Sequence, residues 1–163
     1  MKTFLALALA ASLTTGGSIR AQSLVFSVHE AGIAEIETAL RSTRITCRWL
    51  VEQYLRRIDA FDQNGPALNA IVAINQHAVA VADSLDRRLA ATGPVGPLHC
   101  IPTIVKDNYE TTELPVTAGS LSLAGVVSAR DAFLVQRMKA AGAIVLAKSN
   151  MAEFAFSPYE TVS

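Results

Sequence analysis

The sequence holds only two cysteines, Cys47 and Cys100, and three histidines, His29, His77 and His99. The histidines lie far apart, and no Cys/His group has metal-ligand spacing, so neither a metal nor any other cofactor is expected. Net charge is zero and no Lys/Arg run occurs, so a basic face for nucleic acid is not suggested and no nucleic-acid partner is expected. No apolar run approaches the ~20 residues that cross a bilayer as a helix, so no membrane partner is expected. Internal repeats and low-complexity tracts are absent.

What is present is an Ala-rich chain of 163 residues, 51% hydrophobic and 17% charged. That suffices for one domain with a real core. Residues 1–21 read as a signal peptide: Lys2 supplies the positive start, Phe4–Leu13 the short apolar stretch, and Ala21 the position before a cut. Cleavage there removes Lys2 and Arg20, and the mature chain carries a net charge of −2. The protein is therefore expected to be secreted or periplasmic, with residues 22–163 as the mature domain.

Three helical patterns follow. Ser27 and Glu30 have capping-box spacing, with Ile33, Ile36 and Leu40 beyond them at helical intervals. Thr46 caps a second helix whose Leu50, Tyr54, Ile58 and Phe61 share a face; it stops before Asn64-Gly65-Pro66. A short strand over 70–74 leads to Asn75, the expected cap of a third helix. That helix turns Ala78, Val81 or Ala82, Leu85 and Leu89 inward. Asp83, Asp86, Arg87 and Arg88 read as its solvated face.

The organising stretch is Gly96-Pro97-Leu98-His99-Cys100-Ile101-Pro102-Thr103-Ile104-Val105-Lys106-Asp107-Asn108. Ile101–Val105 is a buried strand by composition. It ends in a lysine whose charge must reach water, find a partner or be given up. Asp131 then caps a helix containing Leu134, Val135, Met138 and Ala141, Gly142 ends it, and Ile144–Ala147 forms another strand. Strand, helix and strand make a βαβ unit with parallel strands. Lys106 and Lys148 both follow these strands, at the carboxyl edge where α/β sheets place ligand sites. Neighbouring there, they would lower each other's pKa; alternatively they are solvated, or paired with Asp107 and Glu153.

Residues 96–108 resemble the lysine motif of the amidase signature family, with Cys100 where glycine is commoner. Val116-Thr117-Ala118-Gly119-Ser120, Arg130-Asp131-Ala132-Phe133, Ala140-Ala141-Gly142-Ala143 and Ala147-Lys148-Ser149-Asn150-Met151-Ala152-Glu153-Phe154 fit the same family in order. The resemblance runs from about Ala31 to Ser163. It implies an α/β fold: the amino-terminal part of a mixed sheet flanked by helices, truncated before the family's Gly/Ser-rich motif.

It also implies an amide (or ester) hydrolase using a Ser-Ser-Lys mechanism, with Lys106 as the catalytic lysine. That lysine, neutral at rest, takes a proton through a bridging serine while the partner serine attacks the carbonyl. Asp107 and Asn108 are supporting residues of the motif, or simple turn formers. Ser120, Ser149, Ser157 and Ser163 match neither catalytic serine, since none lies in a glycine-rich loop. The 163-residue chain is thus expected to be inactive, with a small-molecule amide as the substrate of a completed enzyme. The alternative is a non-catalytic remnant or binding module. The signal peptide argues against a cytosolic amidotransferase component of the family.

His99 reads as structural. Cys47 and Cys100 can form a disulfide, but a single pair gives no framework pattern, so free thiols are favoured.

Overall fold

The computed structural model describes residues 26–156; the expected signal peptide over 1–21, Ser157 and Ser163 lie outside them. Among the described residues four α-helices and three strands follow in the order α1 Ile33–Arg41, α2 Cys47–Arg57, β1 Ile71–Ile74, α3 Ala78–Thr92, β2 Pro102–Lys106, α4 Phe133–Ala140 and β3 Ile144–Ser149. The sheet order is β1-β3-β2. β2 runs parallel to β3, as the βαβ reading requires, and β1 pairs antiparallel with β3. The fold is a mixed α/β sheet with helices packed on it.

The larger core joins Ile36, Leu40, Leu50, Val51, Ala78 and Ala82 to Ile101, Ile144 and Leu146. A smaller one joins Val105, Val145, Leu114 and Val135. The cores lie on opposite faces of the sheet. Central β3 is buried on both, which explains its unbroken apolar run.

Local signals succeed where nothing competes with them. Thr46 caps α2, its hydroxyl accepting from Trp49 N at 3.0 Å. Beyond Arg57 the helix widens into a π-turn over Ile58–Gln63 before the expected stop. The buried Asp62 carboxylate there accepts from Ala70 N and Ile71 N, aiming β1 at the sheet.

Other caps move. The first helix starts at Ile33, not after Ser27; Gly32 is its N-cap, and the Glu35 carboxylate accepts from Gly32 N. The reason is tertiary. Phe26 and Val28 pack against the larger core, with Phe26 edge-on to Trp49, and this holds the preceding segment out of the helix. The third helix is entered at His77 rather than Asn75. Buried Asn75 instead donates to Val145 O and accepts from His77 N, tying the helix entrance to β3. Asp131 does not cap α4, whose N-cap is Ala132; its carboxylate accepts from Thr112 N and pairs with Lys139.

The solvated reading of Asp83 and Asp86 also fails. The Asp86 carboxylate accepts from Cys47 N and Arg48 N, the free amides opening α2, while Asp83 pairs with Arg48. A helix start attracts anions, and α3 supplies one to α2.

The cysteines are not free thiols. Cys47 and Cys100 form a disulfide with both residues wholly buried, linking the start of α2 to the entrance of β2. Sequence spacing could not show this, since the pairing depends on α2 docking beside residues 96–101. Cys100 has φ of 66°, a left-handed conformation that glycine adopts freely and other residues resist. The cross-link helps hold it there.

His99 is buried against the disulfide. Its Nδ1 accepts from Val95 N, so Nε2 carries the proton, 3.9 Å from Cys47 Sγ. Burial pushes its pKa below the ordinary 6.5; Asp86 opposes this shift and Arg41 adds to it. The unfolded chain therefore binds the proton more readily than the native one. Stability should fall as pH drops through about 6.5, until the histidine is charged in both states. Urea unfolding against pH should show this loss, and His99→Asn, which keeps an acceptor for Val95, should flatten it. An unchanged profile in the variant would refute the assignment.

Candidate active site

The site is assembled from the turn that ends β2. Residues 96–101 are laced to the end of α4 and the start of β3: Leu98 N donates to Ala141 O, Cys100 N to Gly142 O, and Ile144 N to Ile101 O. Gly142 makes this approach possible. Its φ is 97°, and a Cβ there would lie 2.8 Å from His99 Cα. The lacing fixes the register of β2, so Lys106 falls opposite Ser149 and Val105 opposite Lys148.

Alternation along β2 separates the two lysines. Val105 faces the smaller core, while Ile104 and Lys106 point to the other face and are exposed. Lys148 is not at the strand's end but inside β3, wholly buried, paired with Val105. The two amines therefore leave the sheet on opposite faces, and the juxtaposition inferred from sequence does not form. Burial alone drives the Lys148 pKa down, and the Asp107 charge opposes it. Its Nζ donates to Tyr109 O at 2.5 Å. Among the described residues no carboxylate is in ion-pair contact with Lys106.

Asp107 is buried directly beneath the turn. Its amide donates to Ser149 O at 3.1 Å. Its carboxylate accepts from Thr117 Oγ1, from Thr117 N at 3.4 Å and from Gly119 N at 3.1 Å. Asp107 thus anchors the 117–119 loop to the end of β2. Asn108 is exposed, and Tyr109 N closes the turn on Lys106 O at 2.9 Å. Beside Asp107 lies a mainly apolar cleft of about 220 Å³, bordered by Val72, Ala73, Pro115, Thr117 and Ser120.

Ser120 is buried, and its hydroxyl donates to Glu153 Oε1 at 2.6 Å and contacts Ser122 Oγ at 2.8 Å. Gly119, at φ of 73°, leaves room that a Cβ would take from Met151 O at 2.6 Å. The Ser120–Glu153 hydrogen bond and Phe154 N donating to Ala118 O bind the loop to residues 153–154. Sequence reasoning missed Thr117 and Glu153 as partners, because their link to Asp107 and Ser120 is purely spatial.

Cys47, His99 and Cys100 bring three possible ligand atoms within 4.8 Å. The sulfurs are bonded to each other and Nε2 is protonated, so the group acts as a packed staple rather than a ligand set.

Chemically, the arrangement offers an exposed primary amine at the carboxyl end of a parallel strand, on a turn braced from beneath by a buried carboxylate.

Comparison with known proteins gives the family. The Amidase family model matches residues 49–163. A "probable amidase" of Arabidopsis thaliana is 38% identical over 151 residues, 91% of this chain and 29% of that protein. A component of the glutamyl-tRNA(Gln) amidotransferase of Halorhodospira halophila is 40% identical over 129 residues, covering 78% of this chain and 26% of that protein. Among solved structures, native peptide amidase from Stenotrophomonas maltophilia superposes with a TM-score of 0.75 at 37% identity, covering 77% of this chain and 26% of the enzyme. The chain thus spans less than a third of the length of these relatives.

Proposed function

The chain belongs to the amidase signature family, and from that premise we propose that it is the amino-terminal portion of an exported hydrolase of carboxylic amides or esters. Lys106 is its general base in a Ser-Ser-Lys mechanism. The observation that carries this reading is the placement of Lys106: exposed, outside any ion pair among the described residues, and ending a strand whose register is set by pairing with β3 and whose turn is anchored through Asp107 and Tyr109.

A serine hydroxyl becomes an effective nucleophile only when a base takes its proton, and an amine relieved of its own proton can do so. In this mechanism Lys106 receives the proton through a bridging serine, and the second serine attacks the carbonyl. The amine leaves, water frees the acid, and backbone N–H groups hold the oxyanion. On this reading the nucleophile lies outside the 163 residues; Ser120, the buried candidate, is engaged with Glu153, and the 163-residue chain by itself is expected to be inactive.

The test is to read the coding frame past Ser163 and assay its full product and the 163-residue chain side by side on simple carboxylic amides and esters. Turnover by the full product alone supports the proposal. A stop codon at that point, or hydrolysis by the 163-residue chain, overturns it; the stop codon would favour a non-catalytic binding module. For export, the amino terminus of the secreted product should be at or near Gln22. A cytosolic protein retaining Met1 would contradict it.

A further inference from the structure

Among the described residues Lys148 is the largest side chain buried completely. Taking an ammonium out of water is costly unless it is paired or hydrogen-bonded, and the proposed chemistry gives it no part. Its stem crosses the smaller core beside Val105 and delivers Nζ to Tyr109 O, 39 residues away. Tyr109 closes the turn that begins at Lys106, its amide donating to Lys106 O.

That turn is held at three points. Asp107 N is fixed to β3 through Ser149 O. The Asp107 carboxylate is fixed to the loop through Thr117 and Gly119. Lys148 holds its far end through Tyr109 O, where Tyr109 also donates to Lys106 O and packs on the smaller core. A hydrocarbon of the same length would fill the space but leave that carbonyl without this donor. The negative charge of Asp107 favours the protonated amine against its burial, so one carboxylate supports both the loop and the lysine.

We propose that Lys148 is a positioning residue, whose Nζ fixes the Tyr109 end of the turn and thereby sets the direction from which Lys106 leaves the sheet. The functional meaning rests on Lys106 being the base; the structural claim does not, and the two fail separately in the following experiment.

Amide exchange is measured by NMR on the ¹⁵N-labelled 163-residue chain and on Lys148→Met, which keeps the stem and removes the donor. Loss of a hydrogen bond to a charged group should speed exchange at Tyr109, Asp107 and Gly119 by about tenfold or more, with amides of α2 and α3 unchanged. Equal acceleration throughout the chain would reduce Lys148 to a general stability role, and unchanged exchange at the turn would remove it altogether; either overturns the proposal.

Restoring the amine should restore protection. Lys148→Cys, alkylated in denaturant with 2-bromoethylamine while the native disulfide is intact, should recover the parent pattern, and failure to recover it counts against the proposal. Should the substituted chains not fold, the parent still decides. Lys148 ammonium protons should exchange far more slowly with water than those of exposed Lys106; equal rates would overturn the assignment. None of these results depends on catalysis, so loss of the base role of Lys106 would leave them standing.

Discussion

Lys106→Arg in the full-length protein should reduce single-turnover acylation by about 10²–10⁴-fold, nearly as much as Lys106→Ala. Arginine preserves the positive charge and most of the length, so a lysine needed for charge or packing would tolerate the change. A lysine needed as a base would not, because a guanidinium keeps its proton throughout the useful pH range. Substrate affinity should change little, since the lost interaction belongs to the chemical step. The position of Lys106 favours such a separation. It is exposed at the end of β2, and neither hydrophobic core includes it. Rapid mixing with an activated ester or amide reads the effect directly. Acylation by Lys106→Arg at the parent rate would exclude the base role.

The second large effect concerns the disulfide. Cys47 and Cys100 are 53 residues apart in sequence. Closing a loop of that length restricts the unfolded chain enough to stabilise the fold by about 4 kcal/mol on the chain-entropy estimate. For a domain of this size that is a large share of the total. Cys47→Ala combined with Cys100→Ala should therefore lower the urea midpoint sharply, and thiol titration of the denatured parent should find no free thiol.

The conformation of Cys100 adds a sharper test. Its φ of 66° is costly for alanine and free for glycine. Cys47→Ala with Cys100→Gly should thus be more stable than the double-alanine chain by about 1 kcal/mol. A double-alanine chain as stable as the parent would contradict the bond. A glycine variant no better than alanine would contradict the backbone argument.

The same residues show what could be read from sequence. The β2–α4–β3 unit was legible because its strands are short β-branched runs, bounded by Gly142 and by the polar turn at Lys106. Thr46 was legible as a cap because its hydroxyl acts three residues away. Contacts made across the fold were not. Asp86 carries the same charge whether it faces water or caps α2; only the docking of α2 on α3 decides. Cys100 stands where the family commonly has glycine, yet its left-handed backbone and its partner appear only when residues 96–101 are laced to β3. For Lys106 and Lys148 the sequence placed both near the carboxyl edge. The bulge between Thr103 and Ile104 shifts the pairing and sets Lys148 opposite Val105, on the face away from Lys106. Asp107, read as a turn former or an orienting group, proves to be the anchor of the 117–119 loop. No local pattern announces a partner ten residues away.

The central claim is that Lys106 activates a serine lying beyond Ser163, and the acyl-enzyme itself tests it most directly. The full-length protein is mixed with an activated ester, quenched in acid within the first turnover, digested and mapped by mass spectrometry. The account predicts one acyl group on a serine carboxyl-terminal to Ser163, strongly diminished in Lys106→Ala and Lys106→Arg. An acyl group on any residue up to Ser163, or an undiminished yield in both variants, would contradict it.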